Sequence, residues 1–258
     1  MKKSRGFYIR LLIAAGIVLF SVFKFLSSSE TNEITGEKQY ISLNKEEEIT
    51  LGFNSVPQMA AEFGGFSENR ELSQMVKSVG QDIVQKSVAA ESGYPFDFHL
   101  LADQQTVNAF ALPGGQIFIT EGLLSRLENI DQLAGVLGHE VGHVIARHSA
   151  QQMAKQELTQ GIAGAAGVAG GDTNSAYYAQ IVANMVNMKY GREDELESDE
   201  LGVRLMVEAG YNPEALIGVM DILEQASGNS NVPEFQSTHP APENRRQKIR
   251  EAIEKYKP

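Results

Sequence analysis

His139, Glu140 and His143 form the pattern H-E-x-x-H, with Val141 and Gly142 in the variable places. Two imidazoles four residues apart face the same way on a helix, so both can ligate one metal ion, and the glutamate between them can polarise a water on that ion. This is a zinc hydrolase signature, provided the run is helical. The surrounding residues meet that condition. Leu133, Val136, Leu137, Val141, Val144 and Ile145 make an apolar stripe, while His139, Glu140 and His143 occupy a different flank. Asn129 or Asp131 is placed to cap the helix, which the pattern carries on through Gln151 and Met153.

A catalytic zinc of this type takes three protein ligands and leaves a fourth position for water. The chain has no cysteine, which excludes disulfides, thiolate ligands and a cysteine nucleophile, so the metal must be held by nitrogen and oxygen. Gly191 to Asp199 opens an acidic helix that stops at Gly210. Glu195 and Asp199, one turn apart, can supply a ligand and a carboxylate that orients a metal histidine. The other reading is a solvated acidic face, which is the expectation for Glu193, Asp194, Glu197 and Glu200; spacing alone does not choose. His239, in the loop Ser237 to Pro242, reads by itself as a surface residue, and His99 as the polar side of a strand.

The elements that must position these residues follow from periodicity. Ser42 or Asn44 starts a helix rich in acids, and Asn69 to Val88 is a second helix with Leu72, Met75, Val76, Val79, Ile83 and Val84 on one side. Phe96, Phe98 and Leu100 alternate with Asp97 and His99 as a half-buried strand does. Asn108 to Thr120 reads as a hairpin-like element turning at Pro113-Gly114-Gly115, with Gln116 to Thr120 as a strand. That strand is either plain sheet core or the border of the metal cleft, pairing with an extended peptide; in the second case Asn108, Gly114, Gly115, Gln116 and Phe118 are the substrate contacts. Gly161 to Gly171 reads as a flexible lid or a close-packed turn, and Tyr177 to Met188 as helix. Asn212-Pro213 restarts a helix, and Glu243 to Lys257 is a basic helical tail.

The net charge is -11, but residues 1 to 29 hold five bases and no acid, which leaves 17 bases against 33 acids, or -16, on the rest. Such a body does not seek nucleic acid. The basic start and the apolar run Leu11 to Phe23 read as a retained membrane anchor or a cleaved export signal, and either places the body outside the cytoplasm. Residues 30 to 45 read as a polar tether, and 46 to 258 as one domain.

Asn-Ala-Phe-Ala-Leu-Pro-Gly-Gly at 108 to 115, His-Glu-Val-Gly-His at 139 to 143, Glu-Leu-Glu-Ser-Asp at 195 to 199 and Thr-His-Pro at 238 to 240 occur in that order. Together they resemble the zinc metallopeptidase family that includes the CAAX prenyl proteases, HtpX and the bacterial envelope proteases BepA and LoiP. The resemblance implies an α+β fold, mainly helical and zincin-like, with a small β-sheet bordering the metal helix. It implies one Zn2+ on His139, His143 and Glu195, Glu140 as general base, and Asp199 behind a ligand. It also implies that His239 and Arg245 stabilise the oxyanion, or that His239 is a fourth ligand. The function so implied is an envelope endopeptidase acting on unfolded or misassembled polypeptides. The rival expectation is a latent, zinc-stabilised, chaperone-like binding protein with its site closed by His239. The ligand set also admits cobalt or manganese.

Overall fold

The computed structural model describes residues 5–170, 190–226, 235, 239 and 243–257. The chain divides into two compact units, Met1–Asn44 with Ala150–Met185, and Lys45–Ser149 with Val186–Pro258.

The first unit opens with α1 (Arg5–Ser27). Within it the 22 residues Gly6–Ser27, of mean hydropathy 2.2, are long and apolar enough to cross a membrane by length and composition. Leu12, Leu19, Phe20 and Phe23 are all exposed. The stretch expected to be a polar tether instead folds back as an antiparallel hairpin of β1 (Ser29–Thr31) and β2 (Lys38–Tyr40). Asn32 makes its turn, because its side-chain oxygen accepts from the Ile34 and Thr35 amides at 2.8 and 3.0 Å. Gly161 to Gly170, read from sequence as a lid or a turn, lies inside α6 (His148–Gly170). The run is glycine and alanine with one isoleucine and one valine and has no proline to break the helix.

The second unit is built on a three-stranded sheet of β3 (Asp97–Leu101), β4 (Ala109–Leu112) and β5 (Gln116–Thr120), in the order β3-β5-β4. β4 and β5 form the expected hairpin, with Phe110 opposite Phe118, and β3 runs parallel to β5, with Phe98 beside Ile117. Phe98, Leu101, Leu112, Ile117, Phe118 and Ile119 are fully buried. Helices α2 (Lys45–Glu62) and α3 (Arg70–Gln85) cover this sheet, with α3 capped by the Asn69 side chain on the Leu72 amide. Gly114, at φ 79, sits where a Cβ would run into the main chain of Glu48 and Ile49 in α2, so both its conformation and its space demand glycine.

After the short α4 (Glu121–Leu124) comes α5 (Ile130–Ile145), capped by Asn129, whose side chain accepts from the Gln132 amide at 3.0 Å. It does not run on to Met153. It ends at Ala146, Arg147 takes a left-handed φ of 57, and α6 follows from His148. The cause is tertiary. The buried Arg147 guanidinium reaches Glu48 of α2 (Nε to Oε1, 2.8 Å), and that ion pair offsets the backbone strain. The chain continues through α7 (Arg192–Ala209), stopped as expected by left-handed Gly210, then α8 (Ala215–Ala226) and α9 (Arg245–Tyr256). The expected helix at Tyr177 to Met188 lies outside the described residues, as does the Gly228 to Pro233 loop.

Candidate metal centre

α5 is buried from Gln132 to Ile145, because α3, α7, α8 and the sheet surround it. Burying a polar run such as His139-Glu140 is costly without partners, so the partners show what the helix is for. The closest neighbour is α7, which crosses α5 at its glycines. A Cβ on Gly142 would stand 2.8 Å from Ser198 Oγ and 2.9 Å from the Ser198 carbonyl oxygen, and one on Gly138 would stand 3.3 Å from the Gly202 carbonyl oxygen. The Ser198 hydroxyl donates to the His139 carbonyl at 2.6 Å and fixes this crossing. Glu195, one turn before Ser198, is thereby delivered to the two histidines. Its Oε2 lies 3.6 Å from His139 Nε2 and its Oε1 lies 3.5 Å from His143 Nε2.

The proton arrangement can be read from the outer ring nitrogens. His139 Nδ1 donates to Asp199 Oδ1 at 2.9 Å, which leaves Nε2 bare. His143 Nδ1 is engaged at 2.8 Å by His148, and its Nε2 faces His139 Nε2 across 3.0 Å. Lone pairs converging in this way, beside a carboxylate, need a cation between them. Tetrahedral ligands around zinc stand about 3.3 Å apart at ordinary bond lengths, so the donor set fits a divalent metal. His139, His143, Glu195 and His239 offer ligand atoms that all lie within 4.8 Å of one another. Burial, the neighbouring His139, His148 and His239 rings and the Arg245 charge hold the His143 pKa well below the ordinary imidazole range, which keeps the ring neutral as a ligand must be.

Asp199 sits between His139 and Arg245. Burial would raise its pKa, but the Arg245 charge and the His139 bond win and bring it to about 2. Arg245 Nε and Nη2 donate to the two Asp199 oxygens at 2.6 and 2.9 Å, and its Nη1 lies 3.4 Å from Glu195 Oε2. The Arg245 fork, expected to reach an oxyanion, is engaged in this structure by the Asp199 and Glu195 carboxylates.

Glu140 differs from every other carboxylate here. It is fully buried, neither oxygen has a hydrogen-bond partner among the described residues, and burial raises its pKa. His239 Nε2 lies 3.7 Å from its Oε1. His239 is itself buried, with Nδ1 2.9 Å from Glu195 Oε1 and its ring stacked on Phe235 at 4.4 Å. Burial opposes a charge on His239, but Glu195 and Glu140 outweigh it and raise its pKa. The loop histidine that spacing alone reads as a surface residue is therefore part of the centre.

Residues 68–253 match the model of peptidase family M48. The chain belongs to that family. The M48 match contains every residue of the centre just described. The chain is 27% identical over 257 residues to the beta-barrel assembly-enhancing protease of Escherichia coli K12, covering 96% of this chain and 52% of that protein. It is 33% identical over 168 residues to the mitochondrial metalloendopeptidase OMA1 of Schizosaccharomyces pombe, covering 64% of this chain and 49% of that protein. It is 28% identical over 204 residues to the E. coli metalloprotease YcaL, covering 78% and 74%. The chain thus spans about half the length of the first two.

Within the M48 domain the expected substrate contacts separate into two groups. β5 lies between β3 and β4, so both of its edges are already in ladders and it cannot add a peptide strand. Gln116 bonds His99 Nε2 at 2.9 Å, and Phe118 is packed between His99 and Phe110 at 4.8 and 4.9 Å. Gly114 and Gly115 serve the turn against α2 and Phe96. These four are sheet and turn residues. Asn108 is different: it is fully buried at the head of β4, the outer strand, and its side-chain amide has no partner among the described residues. His99 is bonded to Gln116 and is not among the four residues whose ligand atoms converge, His139, His143, Glu195 and His239.

Three participants were not legible as such. Tyr190 stacks on His143 at 4.1 Å and 21°, with its hydroxyl 3.0 Å from Ser149 Oγ, and burial raises its phenol. His148 adjoins His143, and the half-buried Glu197, expected on a solvated face, adjoins His148 at 3.2 Å. The only signals were a tyrosine just before the Gly191 cap and a histidine just after the metal helix.

Proposed function

We propose that this chain is a zinc endopeptidase of the bacterial cell envelope, held to the membrane by α1 and acting on unfolded or misassembled polypeptides. The observation that carries the reading is the Glu140 carboxylate, buried and without a hydrogen-bond partner among the described residues, beside two histidines whose bare Nε2 atoms converge. Such a group is costly to bury and is suited to taking a proton.

His139, His143 and Glu195 would hold the zinc, with Asp199 and Arg245 fixing His139 and Glu195. When bound, zinc supplies Lewis acidity toward the scissile carbonyl and toward water. Glu140 takes the proton released by the attacking water and returns it to the leaving amine, a role for which its raised pKa suits it. His239 Nε2, which has no hydrogen-bond partner among the described residues and lies 3.7 Å from Glu140 Oε1, can donate to the developing oxyanion. β4 can take an extended peptide on its outer edge. In the ladder with β5, antiparallel alternation turns the main chain of Ala109 and Ala111 outward, and the Asn108 amide stands at the head of that edge. This mode favours chains that are already unfolded. In this reading the basic flank of α1 stays in the cytoplasm and the catalytic body lies beyond the membrane.

A second reading has an observation in its favour. His239 lies 2.9 Å from Glu195, where it could close the site of a latent binding protein. His239→Ala separates the cases when unfolded casein is the substrate. An oxyanion donor loses activity on this change and a self-closed protease gains it. A pure binding protein shows no cleavage in either form, and that result would overturn the proposal.

A further inference from the structure

The two metal-facing histidines are held in different ways. His139 is bonded directly to a carboxylate, Asp199. His143 is bonded to a second imidazole: its Nδ1 lies 2.8 Å from Nδ1 of His148, which is fully buried. His148 Nε2 in turn lies 3.2 Å from Glu197 Oε2, whose side chain is 28% exposed. We propose that His148 and Glu197 form a positioning pair that sets the tautomer and ring orientation of His143. The centre would then be braced by two carboxylates of α7, one acting directly and one through an imidazole. This rests on the metal-centre reading above.

The direction of each bond follows from the acceptor at the end of the chain. Glu197 can only accept, so His148 Nε2 carries the hydrogen. In the neutral His148 ring Nδ1 is then the acceptor, and the hydrogen between the rings belongs to His143 Nδ1. This leaves His143 Nε2 bare on the side facing His139 Nε2 and Glu195. The opposite arrangement would put a hydrogen on His143 Nε2, aimed at the metal position, and would leave Glu197 without a donor. The Tyr190 ring stacked at 4.1 Å covers one face of His143, so the ring is held by an edge bond and a stacking contact.

The backbone explains how His148 comes to be there. Five residues along an uninterrupted helix is about 140° around the axis from His143, so the two side chains could not meet. The left-handed turn at Arg147, tied to Glu48, ends α5 and swings the first residue of α6 back onto His143. A non-glycine residue in this conformation is costly, and the His148 contact gives the strain a purpose. Glu197 is equally well placed, on α7 between Glu195 and Asp199. One turn of α7 therefore contributes a ligand and both bracing carboxylates.

The test uses the full chain and measures metal affinity by chelator competition, with zinc as the probe. His148→Leu removes the acceptor while keeping an apolar volume, and should weaken zinc binding about 10- to 100-fold, the usual effect of losing a partner behind a ligand. It should also shift the visible spectrum of the cobalt-substituted protein. His148→Gln, which keeps an acceptor, should recover part of the affinity. Should His148→Leu fail to fold, Glu197→Ala at the more exposed end of the pair reads the same link through the same affinity and cobalt spectrum. Wild-type zinc affinity and an unaltered cobalt spectrum in these variants would overturn the proposal while leaving the metal centre standing. If the wild-type chain itself binds no zinc, and His139→Ala changes nothing, the metal-centre reading fails and this one with it.

Discussion

Gly142→Ala adds one methyl group, at the place where α7 crosses the metal helix. The new Cβ would stand 2.8 Å from Ser198 Oγ, 2.9 Å from the Ser198 carbonyl oxygen and 3.3 Å from Leu201 Cβ. Ordinary non-bonded contact begins near ~3.5 Å, so α7 must retreat by roughly half an ångström. Two effects on stability oppose each other. Alanine favours the helix by about 0.5–1 kcal/mol, while overpacking a filled core costs about 1–3 kcal/mol. The net destabilisation should be about 0.5–2 kcal/mol in urea unfolding of the metal-free protein. The effect on the site should be larger in proportion. Ser198 lies three residues from Glu195 and next to Asp199, and metal bonds tolerate only about 0.2 Å. A shift of half an ångström should weaken zinc about tenfold in chelator competition, with a similar loss of kcat/KM on unfolded casein. A Gly142→Ala protein with wild-type zinc affinity and turnover would refute the claim that this crossing sets the position of Glu195.

Arg147→Ala should cost about 3–5 kcal/mol in urea unfolding because it strands the buried Glu48, and much of that should return in the double variant with Glu48→Gln. Zinc at a hundred times its Kd should stabilise the wild-type chain by about 2.7 kcal/mol, and this gain should vanish in His139→Ala or with a chelator, as thermal melts can show. Deleting residues 6 to 27 should move the protein from the membrane to the soluble fraction without changing its zinc content, because the residues proposed to hold the metal all lie in the other compact unit.

The metal helix was legible because its two requirements, the H-E-x-x-H spacing and an apolar stripe, are both local. Its capping by Asn129 and the glycine stop of α7 were legible for the same reason. What was not legible came from long-range contacts. Nothing local ends α5 at Ala146; the break is imposed by an ion pair with Glu48, 99 residues away. His148 becomes a partner of His143 only through that break. The alternation of Gln116 to Thr120 identifies a strand but cannot say whether it is central or at an edge, and the β3-β5-β4 order decided against a substrate edge. The Arg245 charge suits an oxyanion or a carboxylate equally well in sequence, and its bonds to Asp199, 46 residues away, appear only in the fold. The hairpin at Ser29 to Tyr40 depends on one asparagine turn within a polar stretch that offers little other pattern.

The central claim is that Glu140 acts as the base at a metal held by its neighbours. Glu140→Gln keeps the size and helix position of the side chain and removes its ability to take a proton. The account predicts a folded variant that carries one zinc per chain by elemental analysis and leaves unfolded casein intact under conditions where the wild-type protein cuts it. A zinc-loaded Glu140→Gln protein that cleaves casein at the wild-type rate would contradict it.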